Sequence, residues 1–282
     1  LLLGFGCSVP AILSTRRIET RSDRLVTIAV LPMMSCAGRL PIYMMFVSAL
    51  FPSRLQATVL FGIYASGVLL ALCCARLLKN TLFKTAQRDS LHHMKRLRLP
   101  SLRKVGALMW SRAFMYVRKA GTFILGASII LWFLNTYPRP EENTAPTNAA
   151  AMEHSYAGQI GHWMEPVTQV AGFDWKINSA LVGAFAAKEI FVTQMGILYA
   201  VEDGNSGPAA QQTLNARLKA SYTPLQGISI MIFCLIALPC IGTVTVAKRE
   251  AGTWWFALAQ FGGLTLLGFA TATLIYQAGL LL

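Results

Sequence analysis

Residues 31–41 read LPMMSCAGRLP and interrupt an otherwise apolar segment that runs from Leu25 to Phe51. The segment is long enough to cross a bilayer as a helix, since a crossing takes roughly 20 residues. Pro32 and Pro41 each lack an amide hydrogen and break the helical hydrogen-bond ladder. Irregular backbone at membrane depth is tolerated only where protein or a water-filled cavity covers it. Residues 31–41 therefore predict a broken membrane helix that lines a functional site.

The composition of the whole chain also indicates a membrane protein. Of its 282 residues, 55% are hydrophobic and only 13% are charged, whereas soluble proteins average about 25% charged residues. Soluble globular, disordered and disulfide-scaffold classes are therefore excluded. Four further stretches carry no charge, namely Leu55–Ala75, Ala120–Pro138, Ala220–Ala247 and Ala251–Leu282. These runs predict four or five crossings.

The net charge of +13 is concentrated in one loop. Residues 79–119 contain eleven Lys and Arg against Asp89 alone, whereas residues 135–174 contain Arg139 against five acidic residues. Because short loops rich in Lys and Arg stay in the cytoplasm, the first loop is predicted inside and the second outside. Topology and contact with anionic lipids explain the basic excess, and no nucleic acid is expected as a partner.

A second interrupted segment repeats the pattern of the first. Residues 238–243 read LPCIGT where residues 31–36 read LPMMSC, and a short Gly/Ala-rich apolar piece precedes each, at Gly4–Ala11 and Gly183–Ile190. Paired interrupted segments in two halves of a chain indicate the binding site of a transporter. The predicted fold is an all-α polytopic membrane protein, a helix bundle with two pseudo-repeated, Gly/Pro-broken gate segments.

The predicted organisation has seven parts. These are a first gate segment with a broken transmembrane helix (1–53), a transmembrane helix (54–78), a basic cytoplasmic loop with an interfacial helix (79–119), a transmembrane helix (120–137), an external polar loop (138–175), a second gate segment with a broken transmembrane helix (176–247), and a final transmembrane helix (248–282).

The apolar piece Ile177–Tyr199 leaves two topologies open. If it spans the membrane, Lys248–Glu250 lie outside; if it enters and returns as a hairpin, they lie inside. The positive-inside rule favours the re-entrant hairpin.

Thiols and thioethers near the two breaks suggest a site for a soft or borderline metal ion. Cys36 and Met33 lie in the first break and Cys240 in the second, while Cys7 lies on the Gly-rich turn of the first short piece. Sulfur ligands, together with carbonyl oxygens released by the prolines, suit an ion such as Fe²⁺ better than Na⁺ or Mg²⁺. The alternative is that these are ordinary proline kinks with cysteine as a small filler, which is the favoured interpretation for Cys73, Cys74 and Cys234.

Three charged residues lie inside apolar segments: Arg39, Lys188 and Glu189. A charge at mid-bilayer costs at least about 2.5–3.5 kcal/mol, so these residues are expected to face a cavity or a partner. We interpret them as gating charges, with Arg39 and Glu189 as a hypothetical latch across the two repeats and Glu189 as a further metal ligand. The alternative is that Lys188 and Glu189 reach polar surroundings from near a hairpin end.

At these residues the chain closely resembles the C-terminal membrane half of the bacterial ferrous iron transport protein B family. Matching stretches occur in order at Leu3–Ile12 with Thr15-Arg16, Pro32–Tyr43, Leu99–Leu102, Lys119–Thr122, Gly172–Lys176, Phe185–Glu189, Thr223–Leu225, Pro239–Thr243 and Lys248–Glu250. The resemblance implies paired gate segments like those of nucleoside-transporter-like proteins, and it implies Cys7, Cys36 and Cys240 as iron contacts. One departure is that Ala186-Ala187 stand where the first gate has Gly6-Cys7, so a symmetric thiol pair is not expected.

The resulting hypothesis is the permease portion of a Fe²⁺ importer in the bacterial inner membrane. Fe²⁺ is expected as substrate with no permanently bound cofactor, and the chain is not expected to be an enzyme. By resemblance, GTP and Mg²⁺ belong to an N-terminal GTPase domain of the parent chain. That domain, earlier membrane helices, further copies of the chain and small accessory proteins are the expected partners. A permease for an organic solute such as a nucleoside, and a non-transporting membrane scaffold, remain alternatives.

Overall fold

The computed structural model describes residues 2–81, 101–138, 153–199 and 208–281. All regular structure in these residues is helical, so the predicted all-α fold is confirmed. The α-helices are α1 (Ser8–Ser14), α2 (Arg21–Val30), α3 (Leu40–Leu50), α4 (Ser53–Thr81), α5 (Leu102–Thr136), α6 (Tyr156–Thr168), α7 (Trp175–Ala186), α8 (Lys188–Tyr199), α9 (Pro208–Ser221), α10 (Pro224–Ile236), α11 (Ile241–Ala251) and α12 (Trp254–Leu281).

Four segments of the described chain are long and apolar enough to cross a membrane: Arg21–Leu50, Ser53–Thr81, Pro224–Ala251 and Trp254–Leu281. Two of them, α4 and α12, are uninterrupted helices. The other two are the broken segments predicted from the prolines, with α2 followed by α3 in the first half and α10 followed by α11 in the second. The chain is therefore a polytopic membrane protein built from two similar halves.

The loops connecting the halves are described only in part. Residues 82–100 of the predicted cytoplasmic loop and residues 139–152 of the predicted external loop lie outside the described residues. The predicted interfacial helix and the predicted crossing 120–137 form one continuous helix, α5, so no helix end separates them at residue 119. The external loop contains helix α6, which ends close to the start of α7.

Each break is a short irregular segment between two helices. In the first, residues 31–39 form two 3₁₀ turns instead of α-helix. Because Pro32 has no amide hydrogen, it leaves the carbonyl of Ile28 without its helical partner, and the side chain of Gln260 donates to that carbonyl at 2.8 Å. In the second break, Leu238 has a φ of 51°, which a branched side chain rarely adopts. The surrounding protein thus maintains the irregular backbone of both breaks.

The piece predicted to span or to re-enter folds back on itself. Helices α7 and α8 have 12 residues each and are about 18 Å long at 1.5 Å per residue, too short for either to cross about 30 Å of hydrocarbon. Extended backbone at Ala187 separates them, and the side chain of Gln194 on α8 lies directly against Gly183 on α7. This contact across the turn supports the re-entrant hairpin.

Both ends of this hairpin lie at the same side of the molecule. Tyr222 donates to the carboxylate of Asp174, just before α7, at 2.9 Å, and accepts a hydrogen bond from Tyr199, at the end of α8, at 3.0 Å. Asp174 also caps α7 by accepting from the amide of Ile177. Burial raises the pKa of the Asp174 carboxyl, which these hydrogen bonds oppose, and burial also raises the pKa of Tyr222. Tyr222 therefore stays protonated, and its hydrogen bonds hold together the two ends of the hairpin, here called the hairpin base.

Ion pairs join the opposite end of the bundle. Glu250, at the end of α11, has a side chain that is 2% exposed, and each of its oxygens lies 2.5 Å from an arginine, Arg16 or Arg24. Beside Arg24, Asp23 pairs with Lys79 at 3.0 Å, at the point where the basic loop begins. The end of α11 therefore lies on the same side as the start of that loop, which is the arrangement that a re-entrant hairpin requires.

This arrangement predicts the labelling side of Lys248. In a background with the six native cysteines replaced by serine, Lys248→Cys should react with a membrane-impermeant maleimide only in inverted vesicles, because the hairpin topology predicts that this end of α11 lies in the cytoplasm. The matched external control is Gln159→Cys on α6, which should react only in intact cells. Labelling of Lys248→Cys from outside would contradict the hairpin topology.

The short gate helix of each half packs against the broken helix of the other half. The short helix of the first gate, α1, packs against α11, the second part of the other half's broken helix, and α8 of the second gate packs in the same way against α3. As a result, the tips of both short pieces meet both breaks. This contact region is the place where the predicted site residues come together.

Candidate gate site at the paired helix breaks

The two cysteines of the breaks occupy equivalent positions. Cys36 and Cys240 each stand in extended backbone, with ψ of 163° and 154°, immediately before a helical turn begins. Cys240 is held by a 3.2 Å contact between its Sγ and the hydroxyl of Thr243. Both side chains are half-buried. The two cysteines thus correspond in their position before a helical turn, although they stand at different distances from the preceding proline, four residues for Cys36 and one for Cys240.

The tips of the two short pieces correspond in the same way. Cys7 has φ −154° and ψ 135°, and Ala187 has φ −149° and ψ 134°, each one residue before a helix. The amide of Ala37 in the first break donates to the carbonyl of Gly6 at 3.1 Å. The side chain of Val9 lies 3.7 Å from the position that a Cβ on Gly242, just after the second break, would occupy. The first tip therefore touches both breaks.

Arg39 connects the breaks through the carbonyl oxygens of their backbones. Its side chain is 2% exposed, and its Nη1 donates to Pro32 at 2.7 Å and to Met34 at 3.1 Å, while Nη2 reaches the carbonyl of Ala237 at 3.5 Å. A guanidinium suits this role because its five donors point outward in one plane. Arg39 therefore donates hydrogen bonds to backbone oxygens of the breaks that have left the helical hydrogen-bond pattern.

Lys188 makes the corresponding connection from the second tip. The side chain is 5% exposed, and its Nζ donates to the same carbonyl, that of Ala237, at 3.3 Å. Its Cβ lies 3.5 Å from the position that a Cβ on Gly38 would occupy. Lys188 thus does not extend to the surface, as the alternative interpretation held, and it bridges the two breaks from inside the bundle.

Three thiols lie within electrostatic range of the Lys188 ammonium. Its electrostatic neighbours are Arg39 and the thiols of Cys36, Cys234 and Cys240. The sequence interpretation of Cys234 as a buried filler omitted it from the candidate site, although it stands one helical turn before the second break, a position that would have indicated it. Among the described residues, no three His, Cys, Asp or Glu side chains form a cluster that could hold a metal ion. The thiols therefore form an open group and not a closed cage.

The remaining predicted residues lie near this group but not all in the predicted role. Glu189 is exposed, with a carboxylate oxygen 2.7 Å from the position of a Cβ on Gly38, and it makes no ion pair with Arg39 in the described structure. Met33 is 1% exposed and packs in the hydrophobic core. Half-buried Cys7 lies at the first tip. The predicted latch is thus not formed here, because the guanidinium is engaged by carbonyl groups.

One expectation about oxygen ligands needs correction. The prolines were expected to leave carbonyl oxygens open to an ion, yet protein donors already bind them. Gln260 binds Ile28, Arg39 binds Pro32 and Met34, and Lys188 binds Ala237. The physical reason is that a buried carbonyl without a partner is costly, so the fold supplies its own cations and amides. The cysteine sulfur atoms are therefore the potential metal ligands of the site that these hydrogen bonds do not occupy.

Two broken crossings whose gaps meet two short gate helices define a gate-type membrane transport protein. Family comparison agrees: residues 117–254 match the model described as "Gate: Nucleoside recognition", and residues 60–112 match "Ferrous iron transport protein B C terminus". The chain belongs to the ferrous iron transport protein B family and corresponds to its C-terminal membrane half.

Named relatives cover the chain almost completely. It is 37% identical to the Fe(2+) transporter FeoB of Campylobacter jejuni, over 93% of this chain and 43% of the relative. It is 36% identical to the Fe(2+) transport protein A/Fe(2+) transporter FeoB fusion protein of Porphyromonas gingivalis, over 100% of this chain and 37% of the relative. The Methanocaldococcus jannaschii FeoB is 36% identical, with 100% and 41% covered. The chain thus spans about two fifths of these curated relatives. No solved structure matches the chain.

Proposed function

We propose that this chain is the ion-conducting part of a ferrous iron importer and that Fe²⁺ passes between the two helix breaks. The observation that supports this most strongly is that Cys36 and Cys240 stand in the two helix breaks, and that both lie within electrostatic range of one lysine. Relatives that align with the whole chain carry the name Fe(2+) transporter. Thiol ligands suit a borderline ion such as Fe²⁺.

In this proposal the ion takes few protein ligands. Cys36 and Cys240 are its principal contacts, Cys7 receives or releases it at the first tip, and Glu189 supplies negative charge beside Gly38. Met33 lies in the core, so it would act as a ligand only after the first break rearranges. A small number of ligands lets the ion leave, which conduction requires.

The relatives are more than twice as long as this chain, which indicates that the complete protein contains further parts. We propose that the complete protein also contains the GTPase domain and earlier helices that the family resemblance implies, and that it works in the bacterial inner membrane. Assembly of several copies and small accessory proteins stay predictions. Transport of an organic solute finds support only in the "Nucleoside recognition" wording of one family model, while the named relatives are Fe(2+) transporters.

Single cysteine substitutions in the complete protein test this proposal. Cys36→Ser and Cys240→Ser should each reduce anaerobic Fe²⁺ uptake into proteoliposomes at least tenfold, because serine keeps the size of the side chain but removes the soft ligand. Cys73→Ser and Cys74→Ser are matched controls on α4, away from the breaks, and should keep uptake within about twofold. Equal, negligible effects of all four at matched expression would refute sulfur ligation.

A further inference from the structure

Lys188 is held less firmly than the other buried cation of the site. Arg39 has two hydrogen bonds of 2.7 and 3.1 Å to carbonyl groups of its own break. Lys188 has one bond, of 3.3 Å, to Ala237 in the second break. The lysine side chain is also a flexible four-carbon stem with a compact charge, whereas the guanidinium is a rigid fork. Of the two cations, Lys188 is the one that can leave without dismantling a break.

The charge around Lys188 is unbalanced. Neither Lys188 nor Arg39 pairs with a carboxylate of the described residues, and the nearest acidic side chain in sequence, Glu189, lies exposed against Gly38. The ammonium donates to Ala237, which stands three residues from both Cys234 and Cys240. The thiols of these two residues and of Cys36 are the acidic groups within its electrostatic range. Desolvated positive charge of this kind is costly unless an anion comes close.

An ion bound by the same thiols would meet this ammonium directly. Fe²⁺ carries two positive charges, and at the low effective dielectric of a protein interior like charges repel much more strongly than in water. The thiolates cannot neutralise both the ion and the ammonium at close range. Binding of the ion therefore favours a conformation in which the ammonium has moved away.

We propose that Lys188 is a built-in competing cation of the gate. Its ammonium holds the second tip to the second break through Ala237. A divalent ion displaces it, and its departure loosens that contact. The gate then opens only when an ion has arrived. This inference rests on the proposed function, because it assumes that the thiols bind the transported ion.

The test is a metal titration of the complete protein, purified anaerobically in detergent, with Co²⁺ as the probe. Binding to thiolates is followed by the sulfur-to-Co²⁺ charge-transfer absorption. Lys188→Gln, which keeps a donor for the Ala237 carbonyl, should bind Co²⁺ at least tenfold more tightly than the unsubstituted protein. Lys188→Arg keeps the charge and should stay within about threefold. Lys176→Gln removes a lysine at the hairpin base and should change nothing.

A second measurement needs no substitution. In the unsubstituted protein, saturating Co²⁺ should increase the rate at which an amine-reactive ester modifies Lys188, measured by mass spectrometry, with Lys176 as the internal reference. Unchanged affinity in Lys188→Gln, or unchanged labelling of Lys188 while Co²⁺ binds, would overturn the competing-cation inference and leave the proposed function intact. Absence of thiolate-bound Co²⁺ in every form would contradict the proposed function, and the inference with it.

Discussion

Replacement of Arg39 by methionine should lower the free energy of unfolding by about 3 kcal/mol, because it leaves two buried carbonyl groups without donors and each costs about 1–3 kcal/mol. These are the carbonyls of Pro32 and Met34, which Arg39 binds at 2.7 and 3.1 Å. Methionine fills a comparable volume, so a simple cavity does not explain the loss. Fe²⁺ uptake should fall with stability, since the first break would lose its shape.

An opposing effect has to be weighed against this loss. Removing a buried charge also removes its desolvation cost, and some buried ionic groups are replaced by hydrophobic ones without harm. We expect the loss to dominate because the carbonyls cannot regain helical partners: Pro32 and Pro41 prevent residues 31–39 from continuing α2 into α3. The backbone at this break depends on a side-chain donor.

The measurement is reversible unfolding in mixed detergent micelles with a matched arginine control. Arg54→Met, on the exposed first turn of α4, should change stability by less than about 0.5 kcal/mol, as surface substitutions usually do. Arg39→Lys should be intermediate, since an ammonium cannot reach all three carbonyls at once. If Arg39→Met proved as stable as Arg54→Met, the structural role of the guanidinium would be refuted.

Replacement of Gly268 by leucine should displace the second break and abolish most transport. A Cβ on Gly268 would lie 2.7 Å from the Cβ of Ala237 and 3.1 Å from its backbone nitrogen. Overpacking of this kind typically costs about 1–3 kcal/mol. Because Ala237 carries the carbonyl that accepts from both Arg39 and Lys188, its movement should separate the two halves of the site. Fe²⁺ uptake should drop at least tenfold.

Gly263 on the same helix provides the control. A Cβ there would meet no atom within 4 Å, and the position is exposed, so Gly263→Leu places an apolar side chain in lipid. It should leave uptake unchanged and improve helix propensity slightly. Comparable uptake by Gly268→Leu and Gly263→Leu, at equal amounts of folded protein, would show that close packing of α12 on Ala237 is not required.

The prediction of the fold from sequence was accurate where a local rule decides the structure. Pro32 and Pro239 each remove a helical hydrogen bond, which favours the breaks found at 31–39 and 237–240, although Pro166 is accommodated inside α6. The similar extended conformations of Cys36 and Cys240 reflect their common position before a helical turn and not their spacing from the Leu-Pro pattern, which differs. The loop-charge argument for a re-entrant second gate agrees with the position of Glu250 beside Arg16 and Arg24.

The site was predicted less completely because its contacts join distant parts of the chain. Arg39 and Glu189 have opposite charges and lie in opposite halves, so a pair between them was a reasonable hypothesis. Carbonyl oxygens released by the breaks compete for the same guanidinium, and no sequence pattern reveals which acceptor is closer. Cys234 was missed for the same reason, since only the packing of α10 brings it near Lys188.

The amino-acid sequence by itself determined that the chain crosses a membrane and where the crossings are interrupted, because hydropathy and proline chemistry act locally. Loop charge predicts which end of each crossing faces the cytoplasm. The tertiary structure alone decided which group satisfies each freed carbonyl and that Ala237 receives two cations from the other elements of the site. Those choices depend on distances between segments as much as 232 residues apart in the chain, which no local rule of helix formation specifies.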